Sequence, residues 1–148
     1  PLDRSSAASD VYKRQSVVRA AHELGLRVVP LVGPVSLLLA LAASGLNGQN
    51  FAFVGYVPSD ATERSKRIRE LETLALKTGQ TQLFIETPYR NTALLQSLLQ
   101  TLQHNTRLAT SSGLTLETAA THSGLAKQWK SAGWALDNAT PTVFAIGR

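Results

Sequence analysis

Apolar residues recur at helical spacing at Val17, Val18, Ala21 and Leu24, and the pattern stops at Gly25. This predicts a helix from near Ser16, closed by a glycine in the left-handed position after its last turn. Leu26 to Leu31 comes next, a short apolar run read as a buried strand. Gly33-Pro34 then turns into Ser36–Gly45, a helix apolar nearly all round, with Pro34 in its first turn and Ser44-Gly45 at its end. Leu46-Asn47-Gly48-Gln49-Asn50 is turn chemistry and marks the expected boundary between two lobes. Phe51 to Tyr56 alternates as a strand, and Pro58 stops it.

Ser59 and Asp60 are N-cap candidates for a helix to about Lys77, with Glu63 three residues after Asp60. Its expected buried face is Ile68, Leu71, Leu74 and Ala75. A strand from Thr81 to Ile85 ends in Glu86, and Thr87-Pro88 opens a helix whose core stripe is Leu94, Leu95, Leu98, Leu99 and Leu102. Further strands are expected at Arg107–Thr110, near Leu114–Thr121 and at Thr142–Ile146, with a short helix over Leu125–Ala132. The whole reads as α/β, a mixed sheet flanked by helices.

Two of these junctions share a polarity: an apolar run, a sharp turn at Gly33-Pro34 or Glu86-Thr87-Pro88, then a helix. Strand, turn and helix N-terminus is the arrangement by which α/β enzymes bring backbone against a small cofactor. Gly33 and Pro34 read equally well as an ordinary strand-to-helix turn. Glu86 also has a structural reason, since a carboxylate is favoured beside a helix N-terminus and Arg90 is within pairing distance in sequence.

Composition narrows the chemistry. The 148 residues are 43% hydrophobic and 17% charged, enough for a packed core, and the absence of cysteine excludes disulfides, thiolate metal sites and cysteine nucleophiles. His22, His104 and His122 share no metal-ligand spacing and read as surface residues; Trp129 and Trp134 read as packing anchors. No metal is expected. The longest apolar run, Leu37 to Ala43, is far below the roughly 20 residues of a membrane span, and a cytoplasmic setting is expected. The net charge of +5 favours a polyanionic partner. Arg64, Lys66, Arg67 and Arg69 crowd the start of one helix, where they read either as phosphate contacts or as a solvated face offset by Glu63, Glu70 and Glu72. Residues 1–15 lack the periodicity that begins at Ser16 and read as a segment foreign to the fold, a translated library adaptor or a disordered arm. The organisation expected is therefore 1–15, a first-lobe remnant with its connecting helix over 16–46, and a second α/β lobe over 47–148.

In order along the chain, Val32-Gly33-Pro34-Val35-Ser36, Gly55-Tyr56-Val57-Pro58, a basic helix and Ile85-Glu86-Thr87-Pro88-Tyr89-Arg90 resemble the motifs of the tetrapyrrole methylase superfamily. The nearest branch is the small-subunit rRNA cytidine 2′-O-methyltransferases, and the resemblance covers about residues 16–148. It implies the C-terminal lobe of a two-lobed fold that holds S-adenosyl-L-methionine between lobes, with the first lobe expected before residue 16. It places Gly33, Pro34, Val35, Ser36, Ile85, Glu86, Ser111, Leu114, Thr115 and Pro141 at the cofactor, and Arg64, Lys66, Arg67 and Arg90 at RNA. Ribosomal RNA or the small ribosomal subunit is the implied partner, and a homodimer is usual in such families. The sequence departs from the family at Val35, where a small hydroxyl residue is usual, and at Ser111-Ser112-Gly113-Leu114-Thr115-Leu116, where charged residues are usual. No general base is identified, and methyl transfer by this chain alone is not expected. A tetrapyrrole or other small-molecule substrate, or a non-catalytic domain binding RNA or protein, are the other readings.

Overall fold

The computed structural model describes residues 7–148, with side chains from Arg14 onward. It divides into two compact units, one ending at Gly33 and one spanning Pro34–Arg148.

The first unit contains helix α1 (Ala7–Glu23). The helix begins at Ala7, not near Ser16, because no Gly or Pro interrupts the stretch between them; residues 1–6 of the segment read as foreign lie outside the described residues. Gly25 closes the helix as expected, at φ 69°, with Leu26 N–H donating to Ala21 C=O at 2.8 Å. The strand expected at Leu26–Leu31 does not form, and Val29 and Leu31 are exposed. Pro30 removes a ladder donor from the middle of the run, and an apolar run becomes a strand only where a neighbouring strand pairs with it.

The second unit is a five-stranded mixed sheet in the order β1-β2-β5-β3-β4: β1 (Phe51–Tyr56), β2 (Thr81–Ile85), β3 (Arg107–Ser112), β4 (Ala120–Leu125) and β5 (Thr142–Gly147). β1 and β2 are parallel, joined through helix α3 (Ala61–Thr78), and the remaining pairs are antiparallel. The carboxyl ends of β1, β2 and β3 therefore share one edge. β4 corrects the expected strand near Leu114–Thr121. Leu114–Ala119 instead makes two successive turns, Leu116 N–H to Gly113 C=O at 2.9 Å and Ala119 N–H to Leu116 C=O at 3.0 Å.

Alternation along the strands builds two cores. On one face Phe84, Leu108, Phe144 and Ile146 pack against α3, α4 (Asn91–Thr101) and α5 (Ala126–Ala132), with Phe84 and Phe144 stacked at 5.8 Å. On the other, Leu83, Ala109, Val143 and Ala145 pack against Ala40 and Leu41 of α2 (Ser36–Ser44). α2 thus belongs with the sheet, in the compact unit that begins at Pro34. The reason is the helix's apolar composition: its buried stripe of Ala40, Leu41 and Ser44 needs the sheet to cover it.

α3 starts where Asp60 accepts from Glu63 N–H at 3.0 Å and ends at Gly79, φ 75°. Its buried stripe is Arg64, Ile68, Leu71, Glu72 and Ala75; the expected Leu74 is 42% exposed. Glu72 accepts from Gln103 N–H at 2.8 Å, which accounts for a carboxylate at that position.

Candidate functional site

Register aligns a row across the carboxyl edge of β2 and β3: Ile85 opposite Val143, Val143 opposite Ser111, and Ser111 opposite Thr121. Ile85 and Val143 share the α2-side cluster with Leu37 and Leu114. Ser111 Oγ and Thr121 Oγ1 are 2.9 Å apart, so a hydroxyl pair ends an otherwise apolar row.

α2 points its N-terminus at this row. Its far end is fixed by Ser123 Oγ donating to Ser44 C=O at 2.6 Å, and the following Leu46 packs at Gly147, on the opposite edge of the sheet. At the near end the N-cap is Val35, whose side chain offers no acceptor to the first-turn N–H groups. A helix start with free amides and a positive dipole end therefore stands beside the apolar row and its hydroxyls.

The turn after β3 completes the edge. Gly113 N–H donates to Pro141 C=O at 3.0 Å, which ties Leu114 and Thr115 to the segment entering β5. Thr115 has φ 73°, the one non-glycine positive φ among the described residues. A β-branched residue in this region is strained by roughly 1–2 kcal/mol. Such strain clusters at ligand sites. Thr115→Gly should therefore raise stability by about 1 kcal/mol, read as a higher urea midpoint at unchanged slope. An unchanged or lower midpoint would mean that the Thr115 side chain makes contacts worth more than the strain.

The structure thus brings together Pro34, Val35, Ser36, Ile85, Ser111, Leu114, Thr115 and Pro141 at one edge. Gly33 ends the other unit. Glu86 lies one residue past the end of β2. It is 5% exposed, with Oε1 accepting from Thr87 N–H at 2.8 Å and Thr87 Oγ1 at 3.0 Å, and facing Arg90 Nη1 at 3.6 Å. Its Oε2 is buried without a partner among the described residues.

Asn91, which follows the motif, holds the edge in place, a role not foreseen from the sequence. It is fully buried, and its Nδ2 donates to Thr140 C=O at 2.8 Å, Asp137 C=O at 3.2 Å and Thr142 Oγ1 at 3.3 Å. It therefore ties the first residue of α4 to the segment carrying Pro141. An asparagine just after Thr-Pro, where a helix begins, is the available signal. The same segment is shaped by Asp137, whose carboxylate accepts from Ala139 N–H at 2.8 Å and from the N–H and hydroxyl of Thr140. These bonds, the Ala139 amide first, hold its pKa below the usual carboxylate range. A lowered value means the charged form favours the folded turn. The contribution is complete above the ordinary carboxylate range and is lost as pH falls through the lowered value. The Ala139 and Thr140 amide resonances should accordingly move only at pH below the ordinary carboxylate range, and Asp137→Asn should abolish that titration.

The basic residues separate. Arg64 is a correction: it is 8% exposed, its Nε donates to Ser97 Oγ at 2.9 Å and its Nη1 to Ser59 C=O at 3.1 Å. It fastens α3 to α4 and has no open face for a phosphate. Arg67 pairs with Glu70 at 3.4 Å on the surface, Lys66 is exposed, and Arg90 lies over its neighbour Tyr89 at 4.8 Å. His122 is half-buried and stacks on Trp134 at 5.3 Å. Among the described residues no cluster of His, Asp or Glu is arranged to hold a metal, and no helix is long and apolar enough to cross a membrane.

Sheet order, the α2 face and the carboxyl-edge row define one lobe of a tetrapyrrole-methylase fold. The methyltransferase CobJ is similar over 90% of this chain and 56% of its own, with TM-score 0.53 and 17% identity. In sequence the chain is similar to ribosomal RNA small subunit methyltransferase I from Vibrio cholerae (35% identical over 86 residues) and from Pseudomonas aeruginosa (39% over 82). The matches cover 58% and 55% of this chain, but only 28% and 27% of those relatives. No family model matches the chain. The sequence is thus similar to ribosomal RNA small subunit methyltransferases over little more than a quarter of their length, and the fold is similar to that of a methyltransferase.

Proposed function

We propose that the chain forms the second lobe of an S-adenosyl-L-methionine-dependent methyltransferase that acts on ribosomal RNA, at a ribose 2′-hydroxyl. The observation that carries the reading is the carboxyl-edge row beside the open N-terminus of α2. Ile85, Val143 and Leu114 offer apolar walls, Ser111 and Thr121 offer hydroxyls, and the α2 amides offer donors to a carboxylate. This set fits a ligand with an apolar ring and thioether, ribose hydroxyls and an amino-acid carboxylate. When bound, the cofactor supplies an already activated methyl group. The chain's own residues have the work of orienting it and excluding water, which is most of what such a displacement needs. The relatives named for ribosomal RNA, together with exposed Lys66 and Arg69, support RNA as the acceptor. The small ribosomal subunit in the cytoplasm is the setting this implies, and a homodimer is compatible with it.

Binding of a single-stranded ribosomal RNA segment and of a uroporphyrin, each titrated at rising salt, tests the acceptor. RNA affinity should fall linearly with salt on logarithmic axes. Salt-insensitive binding of the macrocycle alone would assign a tetrapyrrole acceptor instead.

A further inference from the structure

Away from the carboxyl-edge row, a groove of about 380 Å³ opens between α4 and the segment after α5. Its size lies within the range of small-ligand sites. Leu99 and Leu136 give it apolar wall, Gln96 and Gln100 stand on the α4 side, and Trp134 and Lys130 lie opposite.

Trp134 is held in place before any ligand arrives. His122 stacks on it at 5.3 Å and Trp129 meets it edge-on at 5.0 Å. Gly124 lies beneath the ring, where a Cβ would approach Trp134 to 3.1 Å. The half-exposed remainder of the indole lines the groove. Gln96 and Gln100 are one helical turn apart, both exposed, and neither side chain has a hydrogen-bond partner among the described residues. Each amide presents a donor and an acceptor. The charge around them is one-sided: Lys127 and Lys130 stand on α5, and neither α4 nor α5 contains an acidic residue. The nearby Asp137 carboxylate is occupied by its own turn.

A fixed aromatic surface, two unengaged amides and a cation without a local counter-charge are the groups that recognise an unstacked base and its phosphate. We infer that this groove binds one unpaired nucleotide of single-stranded RNA, its base on Trp134 with its edge toward Gln96 and Gln100, and its phosphate at Lys130. The inference rests on the RNA reading above and adds a contact remote from the methyl-transfer edge. Such a contact would set which segment of the RNA is held in place.

The test is a fluorescence titration of the whole chain with a single-stranded octaribonucleotide, with an acidic leucine-rich peptide as comparator. RNA should quench tryptophan emission saturably. Trp134→Leu and the double variant Gln96→Ala/Gln100→Ala should each weaken RNA binding by about 10-fold or more. Lys130→Ala should lower the salt slope by about one. The glutamine pair is exposed and outside the core, so its result stands even if Trp134→Leu unfolds the chain, which circular dichroism would report. RNA affinity unchanged in the glutamine variant, no RNA binding at all, or binding of the peptide in place of RNA would each overturn the inference. A parallel S-adenosylhomocysteine titration separates its failure from that of the methyltransferase reading, because that ligand should be unaffected by every groove variant.

Discussion

Trp129→Ala should lower stability by about 3–5 kcal/mol, a large share of what a domain of this size has. Trp129 is 1% exposed and is among the largest side chains of the helix-side core. Its Nε1 donates to Leu108 C=O at 2.8 Å, which fastens α5 to β3 in the sheet interior. It also meets Trp134 at 5.0 Å and His122 at 6.1 Å, so truncation removes the floor beneath both. Trp129→Phe keeps most of the volume and loses the hydrogen bond, and should cost about 1–2 kcal/mol. Urea unfolding reads both values from midpoint and slope. A loss below about 2 kcal/mol for the alanine variant would mean that the core repacks around the void or that α5 contributes little to the cooperative unit.

Asn91→Leu should cost about 2–3 kcal/mol and disturb the carboxyl edge as well. The substitution is close in size but withdraws the donor from the Asp137 and Thr140 carbonyls and from Thr142 Oγ1. The Oδ1 atom has no partner among the described residues, so the native residue acts here through its amide hydrogens alone. Asn91→Asp should therefore be worse than leucine, because it sets an acceptor against acceptors. Loss of the bond would free the segment carrying Pro141, whose carbonyl holds the Gly113–Thr115 turn at 3.0 Å. Amide exchange at Gly113 should accelerate in both variants, and equal protection in wild type and variants would remove Asn91 from that chain of contacts.

How much of the fold is legible in the chain depends on how local each signal is. β1, β2, β5 and α3 lie where alternation, caps and helical periodicity put them, because those signals are complete within a dozen residues, and α4 keeps its expected leucine stripe but starts at Asn91, after a 3-10 turn over Pro88–Arg90. The spacing on α3 even includes Arg64, which falls in line with Ile68, Leu71 and Ala75. Its charge argues for the surface, and only the positions of Ser97 and Ser59 show how a guanidinium is accommodated inside. Leu26–Leu31 fails for the converse reason: apolar character predicts burial but does not supply a strand to pair with. β4 slips because Ala120–Leu125 is half polar and small, while Leu114 and Leu116 look more strand-like and sit in turns. At the site, motifs nominate Pro34 to Ser36, Ile85 and the Ser111–Thr115 stretch. The Ser111–Thr121 hydroxyl pair depends on register and on which side of the sheet each residue takes. Neither is encoded at short range.

The carboxyl edge of β2 and β3, facing the start of α2, is the cofactor site proposed above. The most direct measurement is an amide NMR titration of the chain with S-adenosylhomocysteine. Saturable shifts are expected at Ser36, Leu37, Ile85 and Ser111 to Thr115, with Gln96 and Gln100 unmoved. Shifts confined to other surfaces, or none at millimolar ligand, would contradict it.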